Sequence, residues 1–272
     1  MIRANYHTHT VFCDGKNTAE EMAEAAASLG MTHLGFSGHM DRDIHMDWNQ
    51  YTGEIQRLRK LYEGRMEILM GVELDTLYDP AMCPGAEYRI GSTHYMDLDI
   101  TDSTEIDLSP EVTRNLLMKY YDGDFRKMAR AYYELEATTG ERTQCTFVGH
   151  FDLIVRFNDV DPLFDESDSL YRRYALEAME HLVWQGLPFE VNCGAYNRGR
   201  KKELYPAMPL LQALHDMGGR ILINSDAHDR DHLLGGFEEA EKRALSCGFR
   251  EALILVRREG KVQFREVPLC GT

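Results

Sequence analysis

The sequence has no surplus of positive charge. Lys and Arg number 30 against 45 Asp and Glu, a formal net charge of −15. That excludes a constitutive binder of nucleic acid or of an anionic membrane surface, which needs cations to neutralise phosphates. A small phosphorylated substrate stays open, because bound cations reverse the sign of a local site. No apolar run approaches the roughly 20 residues of a bilayer span, and no charged-then-apolar leader opens the chain. Six cysteines (Cys13, Cys83, Cys145, Cys193, Cys247, Cys270) lie scattered with no C-x-x-C pair. They are too sparse for a disulfide scaffold and read as reduced thiols of a cytoplasmic protein. No internal repeat and no Gly/Ser/Pro-rich linker divides the chain. We therefore expect one domain over residues 1–272, with oligomeric state open; the 43% hydrophobic content suffices for a full core.

What the chain does contain is an alternation of short β-branched or apolar runs with longer amphipathic segments. Strands are predicted at 3–7, 33–37, 67–72, 88–93, 146–149, 189–192 and 220–224. Between them, helices are predicted at about 18–29, 48–62, 109–121, 125–138, 168–185, 208–217 and 236–247. Thr18 and Glu21 form a capping box, and Ser109-Pro110-Glu111 supplies a cap, a first-turn proline and an acidic first turn. The segment from Glu251 to Val267 reads as a terminal strand pair turning at Glu259-Gly260. About seven βα units in a row favour a parallel α/β barrel. A doubly wound sheet would gather functional residues at one switch point, whereas a barrel places them at the end of nearly every strand.

Six of the 11 histidines stand at or just past those strand ends. His7 and His9 follow the first strand, on one side of it, because residues i and i+2 share a face. The second strand runs into Gly38-His39 and the third into Gly71-Val72-Glu73. The fourth runs into Ser92-Thr93-His94, the fifth into Gly149-His150-Phe151-Asp152 and the seventh into Ser225-Asp226-Ala227-His228. His33, His45, His181, His215 and His232 fall elsewhere and read as surface or capping residues. In a parallel barrel the strand ends converge, so His7, His9, His39, Glu73, His94, His150, Asp226 and His228 would surround one pocket. Imidazoles and carboxylates suit Zn, Mn or Fe. At about three to four ligands per ion, eight such groups imply two or three divalent metals. Gly38, Gly71 and Gly149 would permit close backbone packing around the cluster.

The order H-x-H, G-H, G-x-E, S-x-H, G-H-x-D and S-D-x-H resembles the polymerase and histidinol phosphatase (PHP) family. The resemblance implies a distorted (β/α)7 TIM-like barrel whose trinuclear metal site lies at the C-terminal ends of the strands. "FCDGKNTAEEMAEAA", "VGHFDLIVRFN" and "EVNCGAYNRG" are similar to stretches of the histidinol-phosphate phosphatase branch. Carried onto this sequence, the family pattern puts His7, His9, Glu73 and Asp226 on one metal. Glu73 bridges to a second metal held by His94 and His150, and His39, His228 and Asp14 hold the third.

The implied activity is metal-dependent hydrolysis of a phosphomonoester, histidinol phosphate foremost, as in histidine biosynthesis, by a hydroxide bridging the metals that Glu73 joins. Arg156 and Arg198, each six residues past a strand-end residue, are candidate phosphate contacts. Asp14 and His228 are candidates to protonate the leaving group. The acidic stretch from Asp97 to Asp107 either supplies a wall for the substrate's amine and imidazole or is solvated surface, and solvated surface is the favoured expectation. Two other readings remain: a PHP phosphoesterase acting on nucleotides or oligonucleotide ends, and a metal-binding regulatory barrel without turnover. The amidohydrolases also begin with H-x-H, but the Glu after strand three and the closing D-x-H favour phosphoesters.

Overall fold

The computed structural model describes residues 1–270. Seven parallel strands run side by side in chain order around a nearly closed barrel. They are β1 (Ala4–Asn5), β2 (His33–Phe36), β4 (Glu67–Asp75), β5 (Tyr88–Ser92), β6 (Phe147–Val148), β7 (Phe189–Asn192) and β8 (Ile221–Asn224). A two-residue strand, β3 (His39–Met40), continues the path of β2 past a break at Ser37-Gly38 and pairs with β4. Helices cover the outside, α1 (Ala19–Ser28), α2 (Trp48–Leu61), α3 (Pro110–Tyr120), α4 (Phe125–Glu136), α5 (Thr139–Thr143), α6 (Ser169–Trp184), α8 (Met208–Asp216) and α9 (Phe237–Ser246), while the single turn α7 (Gly194–Asn197) follows β7 at the C-terminal end of the barrel. Among the described residues no helix is long and apolar enough to cross a membrane.

Local chemistry accounts for the helix starts. Thr18 Oγ1 accepts from Glu21 N at 3.2 Å while Glu21 Oε2 accepts from Thr18 N at 2.8 Å, so the capping box forms in both directions. Ser109 caps α3 ahead of Pro110, and Asp168 caps α6 through the amides of Leu170 and Tyr171.

The barrel is distorted where it closes. β8 and β1 share no regular ladder; a single parallel bridge, Thr8 to Ala227, joins them at the C-terminal end. There His9 N donates to the Ala227 carbonyl at 2.9 Å and Ala227 N to the His7 carbonyl at 3.1 Å. Lower down, side chains replace the ladder: Tyr6 N donates to Asn224 Oδ1, and Asn5 Nδ2 donates to Ser225 Oγ. The two terminal strands, β9 (Glu251–Arg258) and β10 (Lys261–Pro268), form the antiparallel ribbon expected. β9 packs beside the N-terminal end of the barrel, where Tyr6 Oη donates to the Leu255 carbonyl and Arg257 N to Glu67 Oε1.

The barrel interior is filled by Tyr88, whose hydroxyl donates to the Tyr6 and Phe36 carbonyls at 2.7 and 3.0 Å. A Cβ on Gly71 would run into that ring. Gly71 therefore makes room for the core tyrosine, not for the strand-end cluster. His33 also departs from its surface reading: it is buried, with Nε2 3.3 Å from Glu67 Oε2.

Candidate metal centre

The strand register assembles the site. His39 pairs with Glu73 across β3 and β4, and Asp75 pairs with Ser92 across β4 and β5. The closing bridge then sets His7 and His9 against Asp226. All eight strand-end ligand candidates, with Asp14, meet at this C-terminal end.

Glu73 stands at the centre, fully buried. Its Oε1 lies 2.8 Å from His150 Nε2 and 3.4 Å from His94 Nε2. Its Oε2 lies 3.0 Å from His7 Nε2, 3.1 Å from His39 Nδ1 and 3.4 Å from His9 Nε2. Asp226 Oδ1 is 3.4 Å from His9 Nε2 and 3.8 Å from His7 Nε2. Beyond His9, Asp14 reaches His228 Nε2 at 2.9 Å, His9 Nδ1 at 3.5 Å and His39 Nε2 at 3.8 Å. Four groups of side chains thus converge closely enough to hold an ion: His9-Asp14-His39-His228, His7-His9-Asp226, His7-Glu73-His150 and His39-Asp41-His94.

These groups differ in detail from the family pattern carried onto the sequence. His9 belongs to two groups, because its Nε2 faces Glu73 and Asp226 while its Nδ1 faces Asp14. Asp41 enters beside His39 and His94, a position the sequence analysis did not single out. Residues behind the ligands were also missed. His7 Nδ1 donates to Glu190 Oε1 at 2.8 Å, Asn192 Nδ2 donates to Glu190 Oε2, and Asp75 Oδ2 accepts from His94 N. Glu190 did leave a signal: an acid on a strand buried on both faces, two residues before Asn192 and so on its side.

The chemistry of the donor set fits divalent cations. His7 Nε2, His9 Nε2, His39 Nδ1 and Glu73 Oε2 are buried and have no hydrogen-bond partner among the described residues. Such atoms are costly unless something else satisfies them. Burial opposes the Glu73 carboxylate, but His7, His39, His94 and the His150 hydrogen bond outweigh it and hold its pKa well below the usual range. Burial likewise opposes Asp226, and Arg198 and His7 outweigh it. His9 is lowered to about 3, by burial first and then by His228 and His39, so it stays neutral. At neutral pH the site therefore presents ionised acids and at least one free imidazole.

Asp226 itself adopts φ 49°, a left-handed conformation uncommon for a non-glycine residue. Its carboxylate packs against Gly194, where any Cβ would collide with Oδ2.

A cleft of about 750 Å³ opens above the cluster, lined by both basic and acidic side chains. Its basic lining residues are Lys16, Arg156, Arg198 and Arg200. Arg198 Nη1 lies 2.9 Å from both the Asp226 carbonyl and His228 Nδ1, while Arg156 Nη1 is 3.3 Å from Asp107 Oδ2. Asp41, Asp43, Glu105 and Asp107 form an acidic wall that meets Arg156 at Asp107, with Tyr95 Oη within hydrogen-bond reach of Asp41 and Asp43. Asp97, Asp99 and Asp102 are exposed as expected, but Glu105 and Asp107 turn into the cleft. The bridge between Tyr95 and Glu105 folds that stretch back over the site, so its second half is wall, not solvated surface.

The PHP domain model matches residues 5–193. The chain belongs to the PHP domain family. A probable histidinol-phosphatase of Deinococcus radiodurans is 28% identical over 267 residues, covering 90% of this chain and 93% of the relative. A probable histidinol-phosphatase of Schizosaccharomyces pombe is 24% identical over 276 residues, covering 89% and 86%. Among solved structures, the histidinol phosphate phosphatase of Lactococcus lactis, complexed with zinc, L-histidinol and phosphate, superposes with a TM-score of 0.71. It is 18% identical to this chain, over 96% of this chain and 98% of that one. That likeness shows that this PHP chain shares its fold.

Proposed function

We propose that the protein is a metal-dependent phosphomonoester hydrolase and that its substrate is L-histidinol phosphate. The observation that carries the reading is the set of buried atoms on His7, His9, His39 and Glu73, unpartnered among the described residues, beneath a cleft lined by both basic and acidic side chains. The curated relatives named as probable histidinol-phosphatases support the choice of substrate.

In this reading His7, His9, Asp14, His39, Glu73, His94, His150, Asp226 and His228 would hold two or three divalent ions (Mn, Zn or Fe). Such ions supply Lewis acidity toward phosphoryl oxygens and lower the pKa of water. The protein's own groups do the rest. Arg156 and Arg198 orient the phosphate with planar, charged donors. Asp14 or His228, 2.9 Å apart at the cleft surface, would protonate the leaving oxygen, whichever of them an ion does not engage. The acidic wall receives the substrate's ammonium and imidazole. An oligonucleotide lacks those cations, and the acidic wall disfavours its further phosphates. The six free cysteines, four of them buried, agree with a reducing, cytoplasmic setting.

The test is phosphate release from L-histidinol phosphate by Mn²⁺-reconstituted protein, beside an EDTA-treated control. We expect chelator-sensitive turnover well above that on p-nitrophenyl phosphate and nucleoside monophosphates. Protein that holds two or more ions per chain without turnover rejects the substrate; protein that holds none rejects the metal site.

A further inference from the structure

Four lysine or arginine side chains line the cleft, and three of them already have carboxylate partners. Lys16 Nζ lies 3.3 Å from Asp229 Oδ2, Arg156 Nη1 3.3 Å from Asp107 Oδ2 and Arg198 Nη2 3.5 Å from Asp226 Oδ2. Arg198 is engaged further, since its Nη1 lies 2.9 Å from both the Asp226 carbonyl and His228 Nδ1. The fourth, Arg200, lines the same cleft, yet its guanidinium makes no ion pair and donates no hydrogen bond among the described residues. In a chain with 45 acids against 30 Lys and Arg, a cleft cation left without an acid points to an anion from outside.

The turn after β7 accounts for its place. Asn197 N donates to the Cys193 carbonyl, Arg198 N to the Gly194 carbonyl, and Arg200 N and Lys201 N both to the Ala195 carbonyl. The backbone is thus wound tightly from Cys193 to Lys201. Lys201, the next residue, has a side chain only 1% exposed, whereas Arg200 is exposed. The main chain is held on both sides of Arg200 while its side chain is left unpaired. Partial burial, and then the like charges of Arg156 and Arg198, push its pKa down against Asp226. An arginine stays charged at neutral pH all the same. Guanidiniums gathered without a matching acid repel one another, and a phosphate dianion among them relieves that repulsion.

We propose that Arg200 binds the phosphate group of the substrate, as a third guanidinium beside Arg156 and Arg198 whose donors no protein group has taken. The proposal deepens the phosphatase reading and rests on it. Arg156 and Arg198 share their donors with Asp107, Asp226 and His228, while the planar fork of Arg200 is open to the anion. It holds the phosphate before and during the reaction alike, so its contribution falls on KM and not on kcat.

The test is binding of inorganic phosphate to the Mn²⁺-loaded full chain, followed by calorimetry, with ion content measured for each variant. Arg200→Met is expected to weaken phosphate binding about tenfold with ion content unchanged. Arg200→Lys, which keeps the charge but not the fork, is expected to stay within about threefold of wild type. In steady-state kinetics Arg200→Met should raise KM for L-histidinol phosphate about tenfold and leave kcat within about twofold. Phosphate binding or KM at wild-type strength in Arg200→Met overturns the role of Arg200, as does a loss of bound ions that accounts for the weaker binding. Wild-type protein that holds its ions yet binds no phosphate overturns the phosphatase reading, and the role of Arg200 with it. Wild type and Arg200→Met that bind phosphate equally well overturn the role of Arg200 alone.

Discussion

Glu190 holds His7 from behind. Its Oε1 accepts from His7 Nδ1 at 2.8 Å, and both side chains are fully buried. When His7 yields its other proton to an ion, that hydrogen bond fixes the tautomer, so the Nε2 that faces Glu73 carries the lone pair. Glu190→Gln is expected to weaken ion binding by about 10- to 100-fold, the usual cost of losing such a support. Competition against a chromogenic chelator measures it. Unchanged affinity would remove Glu190 from the design of the site.

Ion loading is expected to release protons. Burial lowers His150, but its hydrogen bond to Glu73 and the charge of Glu73 outweigh burial and raise it to about 9. His7 is raised too, by Glu190, Glu73 and Asp226 against burial. Both are protonated at neutral pH in the chelated protein, and an ion must displace those protons. Apparent affinity should therefore climb as pH rises from 6 toward about 9 and flatten above it. A pH indicator in weakly buffered solution should record about two protons released per chain at pH 7. A flat affinity profile over that range would contradict both assignments.

Most of the fold was legible because its signals are local. The capping box at Thr18, the proline after Ser109 and the turn at Glu259-Gly260 stand where the sequence predicts them. β3 was not legible, since two residues after the break at Ser37-Gly38 form a strand only because β4 lies alongside. The ligand candidates were visible because they sit at strand ends. Asp41 was not marked, and for the stretch holding Glu105 and Asp107 solvated surface was favoured over a wall, because their position depends on where two loops fold over the barrel. Gly71 misled for a related reason: its missing side chain serves Tyr88, which is distant in sequence.

The close approach of Gly194 to Asp226 makes a sharp test of the site's rigidity. A methyl group at 194 collides with Asp226 Oδ2, and Asp226 already holds an uncommon backbone conformation. Gly194→Ala is expected to cost about 1–3 kcal/mol of stability from overpacking. It should also displace the carboxylate from His7 and His9, with loss of one bound ion per chain by elemental analysis. Full ion content in a stable Gly194→Ala protein would mean that the Asp226 carboxylate moves freely.

The acidic wall separates two kinds of contribution to substrate binding. Glu105 is raised to about 7, by burial first and then by Asp107, Asp41 and Asp43, so a substrate cation that enters beside it favours its ionised form. Asp107 faces the same space but is also tied to Arg156 at 3.3 Å. Glu105→Gln is expected to raise KM for L-histidinol phosphate about tenfold while leaving KM for p-nitrophenyl phosphate within about twofold. Asp107→Asn should impair both substrates, because it also frees the arginine assigned to phosphate. Steady-state kinetics on the two substrates checks the pattern. If both variants impair both substrates equally, the wall acts on the arginines and the metal site, and the choice of a cationic substrate must come from elsewhere in the cleft.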